Sequence, residues 1–357
     1  MLNSVKSFFR PEIDAMAGYT PGEQPRDKKY IKLNTNENPY PPSPKVAETI
    51  KDFDYSLLRL YPDPVFCELR KTIASLHGIN PENIFVGNGS DDILTVVTRC
   101  FCDSERWMTC CKPSYSLYSV LAQIQGCKCL EIPLSRKNAF QLPANFAKLS
   151  KKSALIFICR PNAPTGNAFP LEQVKKICSE NKDSVILIDE AYADFADDNC
   201  MSLIGKFRNV IVMRTLSKAY SLAGLRLGYA MSSSEIINGM MKVKDSYNVS
   251  MFAQRIAISA FKDQKYLKKT VAKIRKTRKY LSEKLVKLGF SVFDSQSNFI
   301  LTEPPSKNAA ELYSALKNKG ILVRYFPQKE TKTFVRITIG TDDEINLLIQ
   351  AIRSLPL

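Results

Sequence analysis

A lysine among phosphate-binding residue types is the most informative chemical feature of this 357-residue sequence. Lys218 lies in RTLSKAYSLAGLRLGY (214–229), shortly after the apolar run NVIVM (209–213). Because ligands of α/β proteins bind beyond the carboxyl ends of strands, Lys218 is placed to project into a ligand crevice. The neighbouring side chains suited to gripping a phosphate are those of Thr215, Ser217 and Arg226. A lysine amine beside a phosphate anchor predicts an imine with pyridoxal phosphate.

An acidic residue at the end of an apolar run supports this chemistry. In VILIDEAYADF, Asp189 directly follows the apolar residues 185–188. A carboxylate in such surroundings is unfavourable unless it is paired. A protonated pyridine nitrogen is a suitable partner, and the pairing keeps the ring able to accept electrons from a substrate carbanion. The alternative is that Asp189 caps the next helix.

Three further segments supply groups for the same cofactor. In RPNAPTG (160–166), Asn162 can donate its amide to the phenolic oxygen of the cofactor, with Tyr192 as a second donor. The alternative is that this segment is an ordinary turn. In IFVGNGSDDILTVVTRC (84–100), a strand and a glycine turn lead into a helix whose first amides, at Ser90 and Asp91, can bind the phosphate. A plain helix cap is the alternative there. Tyr115, in KPSYSLY, can stack on the pyridine ring or be a core aromatic.

Alternating helical and apolar segments indicate how these residues are positioned. The runs predicted as strands are IFVG (84–87), WMTCC (107–111), ALIFIC (154–159), VILID (185–189), NVIVM (209–213) and LGYAM (227–231). Such alternation predicts a mostly parallel sheet with helices on both faces. Three later runs, SNFILT (297–302), ILVRYF (321–326) and FVRITI (334–339), predict a smaller α+β lobe that closes over the strand ends. We expect an arm over 1–40, a large domain over 41–243 and a small domain over 244–357.

The basic composition first suggests a polyanion partner, but its distribution argues against one. The chain has 51 lysine and arginine residues against 35 acidic residues, a formal net charge of +16. Much of the excess lies in 262–287, where Leu267, Val271, Ile274, Leu281 and Leu285 recur at helical spacing. This pattern is typical of a core-packed helix with a solvated basic face, and no aromatic stacking platform accompanies it. We expect no nucleic-acid partner; the positive field suits small anionic substrates.

Cysteine and histidine usage narrows the other possibilities. None of the ten cysteines has C-x-x-C spacing, and several lie in apolar runs, which favours buried reduced thiols over disulfides or zinc. The single histidine, His77, precedes Gly78 where a helix is expected to end, so we expect neither a histidine-rich metal site nor a catalytic role for it. No run of about 18 apolar residues and no signal-like segment occur, so we expect a cytoplasmic protein without membrane contact.

Taken together, the motifs resemble the aminotransferase class I/II family of fold-type I pyridoxal-phosphate enzymes. The resemblance covers nearly the whole chain and rests on the order and spacing of AGYTPGE (17–23), LNTNENPYPPSP (33–44), RLYPDP (59–64), GNGSDDIL (87–94), RPNAPTG, DEAYADF, TLSKAYSLAGLRLGY and FVRITIG (334–340). It implies a mostly parallel seven-stranded sheet sandwiched by helices, with a smaller α+β C-terminal domain.

The resemblance also implies residue roles. Lys218 would bind the cofactor and move the proton between the substrate Cα and the cofactor C4′, with Asp189 on the pyridinium, Asn162 and Tyr192 on the phenolate, and Tyr115 on the ring. The phosphate would be held by Ser90, Asp91, Ser217 and Arg226, joined by Tyr61 from the partner of a homodimer. The substrate anion would be bound by Arg336, Tyr19, Asn38 and Arg324.

The reaction implied is amino transfer between L-glutamate or 2-oxoglutarate and histidinol phosphate or imidazole acetol phosphate. One departure concerns the family loop NPNNPTG, where Arg160 and Ala163 replace asparagines, which leaves the substrate open. The alternatives are an aromatic aminotransferase, a decarboxylase of a phosphorylated amino acid, a transaminase of another phosphorylated ketone, and a non-enzymatic nucleic-acid-binding protein.

Overall fold

The computed structural model describes residues 7–25 and 27–355, so residues 1–6 and 26 of the expected arm and residues 356–357 of the expected small domain lie outside the described part. Its α-helices are α1 (Pro11–Ala15), α2 (Pro44–Lys51), α3 (Cys67–His77), α4 (Ser90–Phe101), α5 (Leu117–Gln125), α6 (Phe146–Leu149), α7 (Leu171–Glu180), α8 (Ser234–Val243), α9 (Met251–Phe261), α10 (Gln264–Lys287), α11 (Ala309–Asn318) and α12 (Asp342–Arg353). Its strands are β1 (Ile31–Lys32), β2 (Ile84–Gly87), β3 (Met108–Lys112), β4 (Cys129–Pro133), β5 (Leu155–Cys159), β6 (Val185–Asp189), β7 (Val210–Thr215), β8 (Gly228–Met231), β9 (Ser291–Val292), β10 (Phe299–Glu303), β11 (Ile321–Leu322), β12 (Arg324–Tyr325) and β13 (Val335–Thr338).

The large sheet has seven strands in the order β2-β8-β7-β6-β5-β3-β4. All neighbouring pairs are parallel except those of β8, which runs antiparallel to both β2 and β7. Strands β5 and β7 are buried along their whole length, as expected for strands covered on both faces. This arrangement confirms the predicted mostly parallel sheet, with strand ends within two residues of those expected.

The sequence patterns missed strand β4 at the edge of this sheet. Of its residues CLEIP only Ile132 is fully buried, and the strand includes a glutamate and a proline. Both residue types are depleted in strands, and an edge strand pairs on one side only. The short apolar run that marks a central strand is therefore absent here.

A second, four-stranded antiparallel sheet has the order β12-β13-β10-β9. The predicted single strand ILVRYF is divided in two: β11 pairs in parallel with β1 of the arm, while β12 pairs with β13. Val323 separates the two pieces. The arm is thus tied to the small sheet by backbone hydrogen bonds, including Leu33 N to Leu322 O at 2.8 Å and Thr338 N to Leu33 O at 2.9 Å.

The basic segment forms the long helix α10, as predicted. Leu267, Ile274, Leu281 and Leu285 are buried, whereas Val271 is only half-buried. His77 is the last residue of α3 and Gly78 follows with φ 65°, which confirms the predicted helix end. His77 Nε2 lies 3.0 Å from the Tyr229 hydroxyl, and burial lowers its pKa to about 4, so the imidazole is neutral and structural.

All ten cysteines are free thiols, as expected, but they are not all buried. Cys67, the first residue of α3, is exposed, and Cys100, Cys127 and Cys129 are half-buried. Apolar runs predicted burial correctly within β3 and β5, whereas Cys67 and Cys129 occupy a helix start and an edge strand. Within residues 7–25 and 27–355, no helix has the length and apolar character needed to span a membrane.

Candidate active site

Lys218 lies just beyond the carboxyl end of β7, in the crevice between the two sheets. Its Nζ is 3.4 Å from the carbonyl oxygen of Thr35 and 5.7 Å from the ring centre of Tyr192. Desolvation and, secondly, the positive charge of Arg336 lower the pKa of this amine to about 8. A substantial fraction is therefore neutral near physiological pH, which a nucleophilic or proton-transferring amine requires.

Asp189 ends strand β6, the neighbour of β7, and is only 4% exposed. The Tyr118 hydroxyl donates to its Oδ2 at 2.7 Å, and the Ala191 amide donates to its Oδ1 at 3.0 Å. Desolvation raises the pKa of this carboxyl to about 6 in spite of these two bonds. Among the described residues no cation forms an ion pair with it, so the structure holds a buried acid suited to a cationic partner.

The start of α4 forms a cradle with the turn after Leu225. Gly89 precedes the helix with φ 88°, and a Cβ there would lie 2.7 Å from Arg226 Nη2. A Cβ on Gly228 would lie 2.7 Å from the Ser90 amide nitrogen. Glycine at both positions thus lets a guanidinium and a helix N-terminus converge, as an anion site requires.

Two hydroxyls and an ion pair complete this cradle. Arg226 Nη2 is 3.4 Å from Asp91 Oδ2, and both side chains remain partly exposed. Thr215 donates its hydroxyl to Ser217 Oγ at 3.0 Å and also receives the Ser217 amide at 3.2 Å. Thr215 therefore orients Ser217, whose hydroxyl proton is free to bind a phosphate oxygen.

Asn162 is completely buried, and its amide is already engaged. Its Nδ2 donates to the carbonyl of Pro113 at 3.0 Å and to the Thr165 hydroxyl at 2.7 Å, while its Oδ1 accepts from Ser114 at 2.8 Å. Both amide hydrogens are thus used within the protein. Asn162 can donate to a phenolate oxygen only by giving up one of these bonds.

Tyr192 is held from the arm side. Asn36 donates from Nδ2 to the Tyr192 hydroxyl at 2.9 Å, and Asn36 in turn bonds Thr338 of the small sheet through its backbone amide at 3.0 Å. Burial raises the pKa of the Tyr192 phenol, so its hydroxyl remains protonated. The hydroxyl proton is therefore available for an oxygen of a bound ring.

Tyr115 stands between the cradle and the arm. Its hydroxyl donates to Asp91 Oδ1 at 3.2 Å. Its ring packs edge-on against Tyr19 at 5.9 Å and against Tyr118 at 5.6 Å between ring centres. Tyr19 and Tyr115 therefore meet, as the predicted shared site requires.

Arg336, on β13, brings an unsatisfied guanidinium to the crevice. Its Nη2 donates to the carbonyl of Asn34 at 2.9 Å, but its buried Nε has no hydrogen-bond partner among the described residues. The guanidinium lies 5.1 Å and 5.3 Å from the ring centres of Phe299 and Phe326, and burial lowers its pKa to about 10. A desolvated guanidinium with a free donor is a site for a carboxylate or phosphate.

The structure shows the surroundings of three further predicted site residues in the single chain. Asn38 donates to the carbonyls of Lys218 and Ala219, both at 3.1 Å, so it fixes the backbone that carries the lysine. Arg324 donates to the carbonyls of Pro21 at 3.1 Å and Thr20 at 3.3 Å, which attaches the arm to the small sheet. Tyr61 is 78% exposed and stacks on Tyr247.

Sequence reasoning missed Tyr118 and Asn36, which hold Asp189 and Tyr192. Tyr118 follows Tyr115 by three residues in KPSYSLY, so helical spacing could have placed both rings on one side. Asn36 lies in the predicted arm, and no local pattern indicates that its side chain contacts a residue 156 positions away.

The residues present fit pyridoxal phosphate. The donor set offers a lysine of lowered pKa, a buried acid without an ion-pair partner, a glycine-lined cradle at a helix start, and a protonated phenol. These match an aldehyde, a ring nitrogen, a phosphate and a phenolic oxygen respectively.

Comparison with known proteins agrees with this chemistry. A family model described as aminotransferase class I and II matches residues 28–352. The chain belongs to this aminotransferase family. Among class I and II relatives, a histidinol-phosphate aminotransferase of Nostoc sp. is 45% identical over 98% of each chain. One of Brachyspira hyodysenteriae is 43% identical over 98% of this chain and 99% of the relative.

A solved structure extends the aminotransferase comparison to the fold. Histidinol-phosphate aminotransferase from Sinorhizobium meliloti, in complex with pyridoxal-5'-phosphate, superposes with a TM-score of 0.87 at 25% identity. The match covers 98% of this chain and 99% of that chain. The predicted fold-type I architecture is confirmed.

Proposed function

We propose that this chain is a pyridoxal-phosphate-dependent aminotransferase that exchanges an amino group between L-glutamate or 2-oxoglutarate and histidinol phosphate or imidazole acetol phosphate, a step of histidine biosynthesis. Full-length relatives with the matching name support the choice of substrate. The observation that carries the proposal is the buried, unpartnered Nε of Arg336 beside Lys218. A donor left unsatisfied in a desolvated crevice favours an anionic substrate, since its isolation is otherwise costly.

Pyridoxal phosphate, when bound, supplies the electron sink that stabilises negative charge at the substrate Cα. Asp189 keeps a proton on the ring nitrogen, because a buried carboxylate favours a cationic partner. Lys218 Nζ moves the proton between the substrate Cα and the cofactor C4′, for which its lowered pKa is suited. Tyr192 donates to the phenolic oxygen, and its bond from Asn36 fixes the hydroxyl in place.

The same guanidinium can serve both substrates. Arg336 can bind the α-carboxylate of glutamate in one half-reaction and the phosphate of histidinol phosphate in the other, since its planar fork fits either anion. The edge-on contact of Tyr19 and Tyr115 borders the crevice from the arm side. Tyr19 is thereby placed to add a hydroxyl to the anion site and to exclude water.

A panel of amino acceptors tests the proposed substrate. Glutamate-loaded enzyme is mixed with imidazole acetol phosphate, phenylpyruvate or a non-aromatic phosphorylated ketone, and kcat/KM is measured for each. We expect imidazole acetol phosphate to be preferred. A preference for phenylpyruvate would assign an aromatic aminotransferase, a preference for the other ketone would assign a different phosphorylated substrate, and carbon dioxide release without glutamate would assign a decarboxylase.

We further propose that the active unit is a homodimer. Exposed apolar side chains cluster in sequence around the RLYPDP segment: Tyr55, Leu58, Leu60, Tyr61 and Val65. Large exposed apolar patches favour association, and Tyr61 on such a surface is available to a neighbouring chain. A cytoplasmic location is part of the same proposal, supported by ten thiols without a disulfide.

A further inference from the structure

Four thiols form two close pairs around the start of the edge strand β4. Cys102 directly follows α4, Cys127 lies shortly before β4, Cys129 begins β4, and Cys110 is on the neighbouring strand β3. The thiol of Cys102 donates a hydrogen bond to the sulfur of Cys127. The sulfur of Cys110 lies 3.6 Å from that of Cys129. Neither pair belongs to the cofactor or substrate sets described above.

Backbone hydrogen bonds hold the first pair in place. Gln125, the last residue of α5, donates from Nε2 to the carbonyl oxygen of Cys102 at 3.0 Å. The amide of Cys127 donates to the carbonyl oxygen of Ala122 at 3.0 Å, which fixes Cys127 against the end of the same helix. The end of α4 and the turn after α5 are thus tied together on both sides of the thiol contact.

The two thiols of this pair differ in exposure and in acidity. Cys102 is 4% exposed, whereas Cys127 is half-buried. The hydrogen bond to Cys127 and burial both raise the pKa of the Cys102 thiol, and the same hydrogen bond lowers the pKa of the Cys127 thiol. The thiolate is the form of cysteine that peroxides oxidise. Cys127 is therefore suited to react first, with Cys102 as the protected neighbour.

We propose that Cys127 and Cys102 form a peroxide-reactive dithiol, in which oxidation of Cys127 is followed by a reversible disulfide with Cys102. The Cys127 thiolate attacks one oxygen of hydrogen peroxide, the O–O bond breaks, and the sulfur becomes a sulfenic acid while the other oxygen leaves as water after protonation. The Cys102 sulfur then attacks the Cys127 sulfur, the S–O bond breaks, and the departing hydroxide takes the Cys102 proton as a second water. Two thiols lose two electrons, and one peroxide is reduced to two waters.

The disulfide would join the end of α4 to the segment before β4, away from the candidate active site. A twelve-residue α-helix is about 18 Å long, and this length of α4 separates Cys102 from the phosphate cradle at Ser90. A neighbouring thiol that captures the sulfenic acid also prevents its further oxidation to the irreversible sulfinic acid. Disulfides of this transient kind are the ones found in the cytoplasm, so the proposal agrees with the proposed location.

The test is peptide mapping of the holoenzyme after brief exposure to hydrogen peroxide at neutral pH. The remaining thiols are blocked with iodoacetamide during denaturation, and the digest is analysed by mass spectrometry with and without dithiothreitol. We expect a peptide pair linked through Cys102 and Cys127 that dithiothreitol separates. A link between Cys110 and Cys129 in its place would overturn the proposal. So would a Cys127 that stays reduced at peroxide concentrations that oxidise other cysteines.

Three variants assign the two roles. In Cys102→Ala the sulfenic acid has no thiol partner, so dimedone should label Cys127 and prolonged exposure should convert it to the sulfinic acid. In Cys127→Ser the link should be lost and Cys102 should remain reduced. Cys110→Ser is the matched control, because it removes a thiol of the other pair and should leave the Cys102–Cys127 link unchanged.

The proposal fails if dimedone labels Cys102→Ala only at other cysteines, or if Cys110→Ser abolishes the link. Neither these readouts nor the mapping depends on the substrate of the transamination.

Discussion

Replacing Asp189 by asparagine tests two effects of this buried acid: its effect on the unfolding free energy of the cofactor-free chain and its effect on cofactor binding. The amide has nearly the same size and keeps an oxygen to accept from Tyr118, whose bond to Asp189 is 2.7 Å long. It removes the charge that desolvation disfavours. In cofactor-free protein we therefore expect the stability of the Asp189→Asn variant to respond to pH differently from that of the unmodified chain.

The size of the effect follows from the pKa. Burial raises the pKa of Asp189 from 3.8 to about 6, so the folded chain holds this proton more tightly than the unfolded chain. Its contribution to stability is fully present below about pH 4 and is lost as the pH rises through 6. A shift of about two units corresponds to about 3 kcal/mol. Relative to the unmodified chain, Asp189→Asn should gain up to about 3 kcal/mol of unfolding free energy between pH 4 and pH 8.

Urea unfolding of the cofactor-free proteins at several pH values measures this difference, with Glu190→Gln as control. Glu190 is also buried, but its Oε2 accepts from Arg214 Nε at 3.0 Å and Nη2 at 2.7 Å. Glu190→Gln breaks that pair and should destabilise by about 3–5 kcal/mol. A stability difference for Asp189→Asn that does not change with pH would refute the argument. The holoenzyme of Asp189→Asn should hold its cofactor less tightly and show a lower kcat.

Three further changes test the crevice and the dimer. Lys218→Ala should abolish turnover and the visible absorbance of the bound cofactor. In the unmodified chain, the rate of cofactor uptake should rise with pH around a midpoint near 8, where the amine loses its proton. A midpoint near 10.5 would contradict the lowered pKa of Lys218. Arg336→Ala should lower kcat/KM of both half-reactions by a factor that corresponds to about 2–5 kcal/mol of transition-state free energy, since it removes a charged partner from a desolvated anion. Unchanged glutamate kinetics would remove Arg336 from the site. Mixing inactive Lys218→Ala with Tyr61→Ala should restore activity, because one site of each mixed dimer has both native residues; if mixing restores none, Tyr61 does not serve the neighbouring site.

Local sequence patterns predict best those strands and helices whose buried apolar residues recur at regular spacing. Strands β5 and β6 and helix α10 carry their apolar residues at regular spacing, and their bounds match the expectations closely. Strand β4 was missed because an edge strand needs no such pattern. The splitting of ILVRYF into two strands depends on two different partners, β1 and β13, which no local pattern identifies.

The same distinction applies to the site. The proximity of Lys218 and Asp189 could be predicted because Asp189 ends β6 and Lys218 follows β7, and the carboxyl ends of parallel strands share one edge of the sheet. The hydrogen bonds that orient the site join residues far apart in sequence, such as Asn36 with Tyr192 and Tyr118 with Asp189. Such pairs depend on how the arm and helices pack over the sheet, which residue types alone do not specify.

Burial perturbs three ionisable side chains of the candidate site, those of Lys218, Asp189 and Arg336. The same burial lowers the pKa of Lys218 to about 8 and raises that of Asp189 to about 6, so both groups are held away from their favoured charged forms. Within the part of the chain that the structure describes, the buried Nε of Arg336 likewise has no hydrogen-bond partner. A cofactor with an aldehyde and a ring cation, and a substrate with an anion, would relieve all three at once. Their binding should therefore stabilise the folded chain as well as enable its chemistry, since a ligand that binds only the folded state adds to its stability.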